Sequence, residues 1–266
     1  MLIDSHCHLD FPAFEKDRDG VMARAREAGV AHMVNIGTTR RDFPRILATA
    51  EAFDEVSCSV GVHPDHAHED GEAVTAEDLI ALAEHPKVVG IGETGLDYFY
   101  KVPPEVQKRS FREHLRASRA MGLPVIVHSR QAEEDTVDML REAAEGSGAH
   151  PLTGVLHCFS SRRILAEGAL KLGFYVSLSG ILTFKKSDEL RDIARDVPLD
   201  RLLVETDAPF LSPEPLRGRI CEPAHVAHTA RVLAEVKGVS FEEISERTTE
   251  NFYTLFSKVR HATIQP

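Results

Sequence analysis

The sequence contains no tryptophan and only four cysteines, Cys7, Cys58, Cys158 and Cys221. They are scattered, with no C-x-x-C pair, which excludes a dense disulfide framework and a thiolate zinc site and leaves reduced thiols as the expectation. Long apolar runs are missing as well: no stretch approaches the ~18 uninterrupted apolar residues of a membrane span. The N-terminus, MLIDSHCHLD, has no basic leader and places an acid at position 4. A cytoplasmic protein without membrane association or an obligate protein partner is expected. Positive charge is also scarce, with 31 Lys and Arg against 42 Asp and Glu and a formal net charge of −11. That balance argues against non-specific coating of nucleic acid, which depends on basic side chains displacing phosphate counterions.

What is present is a repeating pattern. Short, nearly continuous apolar runs occur at Leu2–His6, His32–Thr38, Val56–His63, Val88–Glu93, Pro124–His128, Gly154–Cys158, Phe174–Ser179 and Leu202–Asp207. Each is followed by a polar turn and a helical periodicity. Strands apolar on both faces belong to a parallel sheet covered on both sides. Gly29, Gly122, Gly173 and Gly238 stand where helices should end, while Thr75-x-x-Asp78 and Ser240-x-x-Glu243 read as helix starts. Eight strand–helix units in 266 residues predict an α/β fold of the (β/α)8 TIM-barrel type, which needs about 250 residues. Two helices after the last strand, Pro223–Lys237 and Phe241–Ser257, should close the barrel and seal its C-terminal side. One domain over residues 1–258 is expected, with 259–266 as a flexible tail.

Residues able to bind metal fall at the C-terminal ends of the predicted strands: His6 and His8 on the first, Glu93 on the fourth, His128 on the fifth, His157 on the sixth and Asp207 on the eighth. In a parallel barrel those ends share one face, where active sites of this fold are built. His6-x-His8 places two imidazoles on the same side of a strand. Taken alone, an H-x-H is a weak signal, and lone histidines such as His128 and His157 are more often structural. Six such exceptions at one level of one barrel point instead to a common site. Glu205 and Asp207 share a side of their strand. Asp207, the last residue before the alanine and proline that break it, is the favoured ligand, with Glu205 one layer deeper as its supporting partner. His and carboxylate donors without Cys suit Mg, Mn or Zn, and six ligands serve two divalent ions if Glu93 bridges them.

The motifs DSHCHLD, GVHP, GETGLDY, HSRQA, HCFSS and ETDAPFL occur in this order along nearly the whole chain. In them the sequence resembles the TatD family of metal-dependent deoxyribonucleases, within the amidohydrolase superfamily. The resemblance implies the same six ligands, His6, His8, Glu93, His128, His157 and Asp207, and magnesium as the usual ion. It implies hydrolysis of DNA, often from single-stranded ends in the 3′-to-5′ direction, and brings His63 of GVHP to the site against substrate or the reacting water. Asp207 is then expected to accept the proton of the attacking water, and Arg130 to clamp a phosphate oxygen. Two divalent ions would add four positive charges where a phosphate must sit, so an acidic chain is compatible with DNA as substrate. Arg162, Arg163, Lys185, Lys186, Arg217 and Arg219 collect in the same loops, and Tyr98, Phe99 and Phe184 are candidates for stacking on bases. Two departures from the family concern substrate contacts: Cys221-Glu222-Pro223-Ala224-His225 replaces the common Asn-Glu-Pro-x-Tyr, and Asp65 replaces a second histidine. Another ester or amide hydrolase of the superfamily, acting for example on aminoacyl-tRNA or a small molecule, is the alternative.

Overall fold

All eight predicted strands form. The computed structural model describes residues 1–69, 73–99 and 101–259. Its strands are β1 (Leu2–Cys7), β2 (Val30–Asn35), β3 (Val56–Val60), β4 (Val88–Asp97), β5 (Val125–Arg130), β6 (Gly154–Leu156), β7 (Tyr175–Leu178) and β8 (Leu202–Val204). Neighbours in sequence pair in parallel all the way round, in the order β1 to β8. Between them run α1 (Arg18–Glu27), α2 (Phe43–Ala52), α3 (Ala76–Ala83), α4 (Pro104–Met121), α5 (Glu133–Glu145), α6 (Arg163–Lys171) and α7 (Asp188–Asp196). After β8 come α8 (Val226–Lys237) and α9 (Phe241–Leu255).

The expected helix punctuation holds. Thr75 and Asp78 make a reciprocal capping box, Ser240 accepts from the Glu243 N–H, and Gly122 and Gly238 end α4 and α8 in the left-handed region.

The ring closes between β1 and β8. His6 O accepts from Asp207 N–H at 2.9 Å, Ala208 O accepts from His8 N–H at 2.8 Å, and Cys7 bridges Ala208. Asp4 reinforces the seam by accepting from both the backbone and the hydroxyl of Thr206. Closure of the barrel therefore sets His6, His8 and Asp207 side by side.

Ile3, Val34, Val89, Ile126, Val155 and Leu203 fill the lower barrel interior together with Phe252, Leu255, Phe256 and Val259 from α9 and the residues that follow it. The last helix thus plugs the N-terminal end of the barrel, which corrects the expectation that it would seal the C-terminal side. Its tethers are at that end: Asn251 Nδ2 donates to Leu199 O and Leu202 O where β8 begins, and Lys258 Nζ donates to Ala83 O and His85 O just before β4. The catalytic face of a barrel must stay open, and an apolar stripe on the final helix finds its burial at the other mouth. Val259, placed in the tail by sequence, is part of this plug, whereas residues 260–266 lie outside those described.

The fourth strand runs further than expected, through Thr94, Gly95, Leu96 and Asp97, which pair with Val127, His128, Ser129 and Arg130. The register slips between Ile91 and Thr94, so Glu93 sits in a bulge inside β4 rather than at its end. Gly92 and Gly95 make this possible, with φ of 140° and 139°. A Cβ on Gly95 would lie 2.0 Å from His128 O, so no other residue lets the two strands approach here.

Candidate metal centre

At the C-terminal mouth, the structure brings together all six predicted ligands and His63. Glu93 is the hub. Its Oε1 lies 2.6 Å from His157 Nε2, 3.1 Å from His128 Nδ1 and 3.4 Å from His63 Nε2, and its Oε2 is 3.5 Å from His6 Nε2. Asp207 Oδ1 forms a second focus, 3.5 Å from His6 Nε2 and 3.4 Å from His8 Nε2. The donor atoms fall into three groups of metal-binding size: His6 with Glu93 and His157, His6 with His8 and Asp207, and His63 with Glu93 and His128.

Three of these histidines are backed by a carboxylate of their own. His128 Nε2 donates to Asp97 Oδ2 at 2.8 Å, His157 Nδ1 faces Glu205 Oε1 at 3.4 Å, and His63 Nδ1 is held by Asp65. Such a partner fixes the tautomer and turns the other ring nitrogen to the site. Glu205 is fully buried and also accepts from Cys158 N–H at 2.7 Å, so its carboxylate stands behind His157 rather than behind Asp207. Asp97 was missed in the sequence. The signal was there: alternation along GETGLD puts Glu93, Gly95 and Asp97 on one side of a strand, provided that the strand continues past Glu93.

The electrostatics are those of a site built around cations. Burial would raise the Glu93 carboxyl, but the His157 and His63 charges and the His128 hydrogen bond hold it well below the usual carboxylate range. Burial likewise opposes charge on His157, yet Glu93 and Glu205 lift it well above an ordinary imidazole. His6 goes the other way: burial and the neighbouring His157 depress it, leaving a neutral ring with a free lone pair. Both of its ring nitrogens are buried with no hydrogen-bond partner, as is His8 Nδ1. His6 and His157 stack at 3.9 Å between centroids. Packing imidazoles this way around two carboxylates strands buried polar atoms. A divalent ion would satisfy His6 Nε2, which faces both Glu93 and Asp207, and the donor set fits ions of the Mg, Mn or Zn type.

The site opens into a cavity of about 810 Å³ whose lining includes His8, His63, Glu93, His128, His157 and Asp207. Arg130 lies on its wall with its guanidinium 3.7 Å over the Phe99 ring. The cationic track expected along the loops is not assembled. Arg162 lines the cavity but pairs with Glu134 and Glu133, Arg163 pairs with Asp196, and Arg217 covers Phe184. Lys185, Lys186 and Arg219 are outside the lining.

A family model described as "TatD related DNase" matches residues 3–257. The chain belongs to this family. Among its TatD relatives, the uncharacterized metal-dependent hydrolase YcfH of Escherichia coli K12 is 44% identical over 259 residues, covering 96% of this chain and 95% of YcfH. The uncharacterized metal-dependent hydrolase YabD of Bacillus subtilis is 39% identical, covering 96% and 99%. The crystal structure of YjjV, a TatD homolog from E. coli K12, superposes with a TM-score of 0.87 at 34% identity, covering 96% of this chain and 98% of that one. The TIM-barrel amidohydrolase fold is thereby shared along essentially the full length.

Proposed function

We propose that the chain is a metal-dependent hydrolase that cleaves the phosphodiester backbone of DNA, acting 3′-to-5′ on single-stranded ends. The observation that carries the metal-dependent chemistry is Glu93, a buried carboxylate with imidazole nitrogens on both of its oxygens. In this reading His6, His8, Glu93 and Asp207 hold one divalent ion and Glu93, His128 and His157 the other, magnesium being the favoured metal and Mn or Zn also suited. Bound there, the ions would polarise a phosphate and acidify a nearby water.

The substrate assignment rests on family membership and on charge. Asp65, Glu93, Glu133, Glu189 and Asp207 line the cavity, where the permanent cations in the lining are Arg130 and Arg162 and the other basic groups are the imidazoles that would be taken up as metal ligands or set beside them. With those imidazoles neutral, as metal ligands must be, the cleft is acidic, and divalent cations would reverse its sign toward phosphate. Asp207 accepts the proton of the attacking water: burial would raise its carboxyl, but the His8 hydrogen bond and the surrounding imidazoles keep it ionised. His63, its Nδ1 held by Asp65, presents Nε2 beside Glu93 Oε1 to the substrate oxygen or the water. Arg130 supplies a guanidinium to a phosphate oxygen. No described helix is long and apolar enough to cross a membrane, and the four cysteines are free. We assign the chain to the cytoplasm, where thiols stay reduced.

Digestion of end-labelled single-stranded oligonucleotides with Mg2+ or Mn2+ tests the proposal, beside RNA, aminoacyl-tRNA and small phosphodiesters. Stepwise shortening of DNA from the 3′ end, abolished by EDTA, is the expected result. Cleavage that persists in saturating EDTA, or activity confined to the non-DNA esters, would overturn it.

A further inference from the structure

Two turns that carry proposed metal ligands each carry a phenylalanine three residues on. Phe11 N–H donates to His8 O at 3.2 Å, and Phe210 N–H donates to Asp207 O at 2.9 Å. The seam that joins His8 to Asp207 therefore also joins the two rings, which meet edge to face at 5.9 Å and 84°. Phe11 stacks on the His8 imidazole at 4.7 Å and 30°, and Phe210 stands edge-on to the same imidazole at 6.3 Å. Both rings line the cavity.

Phe210 is 50% exposed, and its ring contacts among the described residues are edge contacts. None of the aromatics that the sequence suggested for stacking is in the cavity lining, and each has a partner of its own. Arg130 covers Phe99, Arg217 covers Phe184, and the Tyr98 hydroxyl donates to Asp135.

We propose that Phe11 and Phe210 form a shelf that stacks the unpaired nucleobase of the nucleotide whose phosphodiester lies at the metal centre. The inference rests on the nucleic-acid reading above and adds how the strand end is recognised. Any base has a π-face, so the shelf is indifferent to base identity. A base still paired in a duplex must be unpaired and lifted off its neighbour before it can lie on a shelf beside the metal centre, so the shelf favours single-stranded ends. Fixing the terminal base also fixes the phosphate beside it, three residues from each of two ligands.

The test compares single-stranded oligonucleotides that differ only in having a normal or an abasic terminal nucleotide, at each end in turn. KM is measured with the Mg2+-loaded enzyme, and Kd by fluorescence anisotropy on phosphorothioate-terminated strands. Wild type should bind the normal end about 5- to 150-fold more tightly, the range that one base–aromatic stack produces. Phe210→Leu and Phe11→Leu keep apolar volume but remove the ring, and should raise KM and Kd for the normal end and shrink that ratio toward one. Phe210→Trp should restore it. A Phe210→Leu enzyme that keeps the wild-type ratio overturns the shelf and leaves the nuclease reading standing. Wild type that cleaves neither oligonucleotide overturns both.

Discussion

His114 makes stability report on pH in a way that can be worked out from its surroundings. It lies fully buried on α4, where Nδ1 donates to Ser110 O at 2.8 Å and Nε2 accepts from Val62 N–H at 3.0 Å. Both nitrogens are used by one neutral tautomer, and a proton on Nε2 would set two donors against each other. Burial brings its pKa down to about 4 from an ordinary value of 6.5. Because the folded value lies below the unfolded one, the unfolded chain takes up the proton first as pH falls. The stabilisation is whole above the unfolded pKa and is lost as pH drops toward 4. Between pH 7 and pH 5 the linkage amounts to about 2 kcal/mol. His114→Gln removes this titration, so its stability should fall less than wild type over that interval by about the same 2 kcal/mol. At pH 7 the variant should itself be weaker by about 1 kcal/mol, the worth of a hydrogen bond to Val62. Urea denaturation of metal-free protein at the two pH values, followed by circular dichroism, gives the double difference. Equal losses for wild type and His114→Gln would refute the reasoning.

Glu205→Gln should weaken divalent-metal binding about 10- to 100-fold, because an amide backs the His157 ring without a charge; isothermal titration showing wild-type affinity would remove its role. Phe256→Ala should cost about 3–5 kcal/mol and lower Tm by about 6–20 °C, since the ring is fully buried in the plug and stacks on Phe252 at 4.8 Å. Calorimetry checks that figure, and kcat at a permissive temperature should hold because the plug lies at the opposite mouth from the metal centre.

The barrel was legible because parallel strands covered on both faces leave continuous apolar runs, and each ends in a polar residue at one level. Periodicity could not say where the stripe on α9 would dock: Phe252, Phe256 and Val259 declare an apolar face without naming the surface that receives it. β4 was cut short at Glu93 because Thr94 and Gly95 read as a turn. In three dimensions glycine serves the opposite purpose there, letting the strand continue against His128 O, and Asp97 was lost with the missing residues. The ligands were found because histidines and acids at strand ends are chemically conspicuous. Phe11 and Phe210 were overlooked because a phenylalanine near a strand end reads as core, and only the closing of β1 on β8 shows the two rings side by side. Counting loop cations overstated the basic track, since Arg162 and Arg163 find carboxylates within salt-bridge distance.

The claim beneath all of this is that one glutamate joins two cation sites. Metal content after loading with Mn2+ and dialysis, for wild type and Glu93→Ala of matching circular dichroism, addresses it directly. Wild type should retain two equivalents per chain and the variant should lose at least one. A Glu93→Ala protein that keeps both with unchanged affinity would contradict the account.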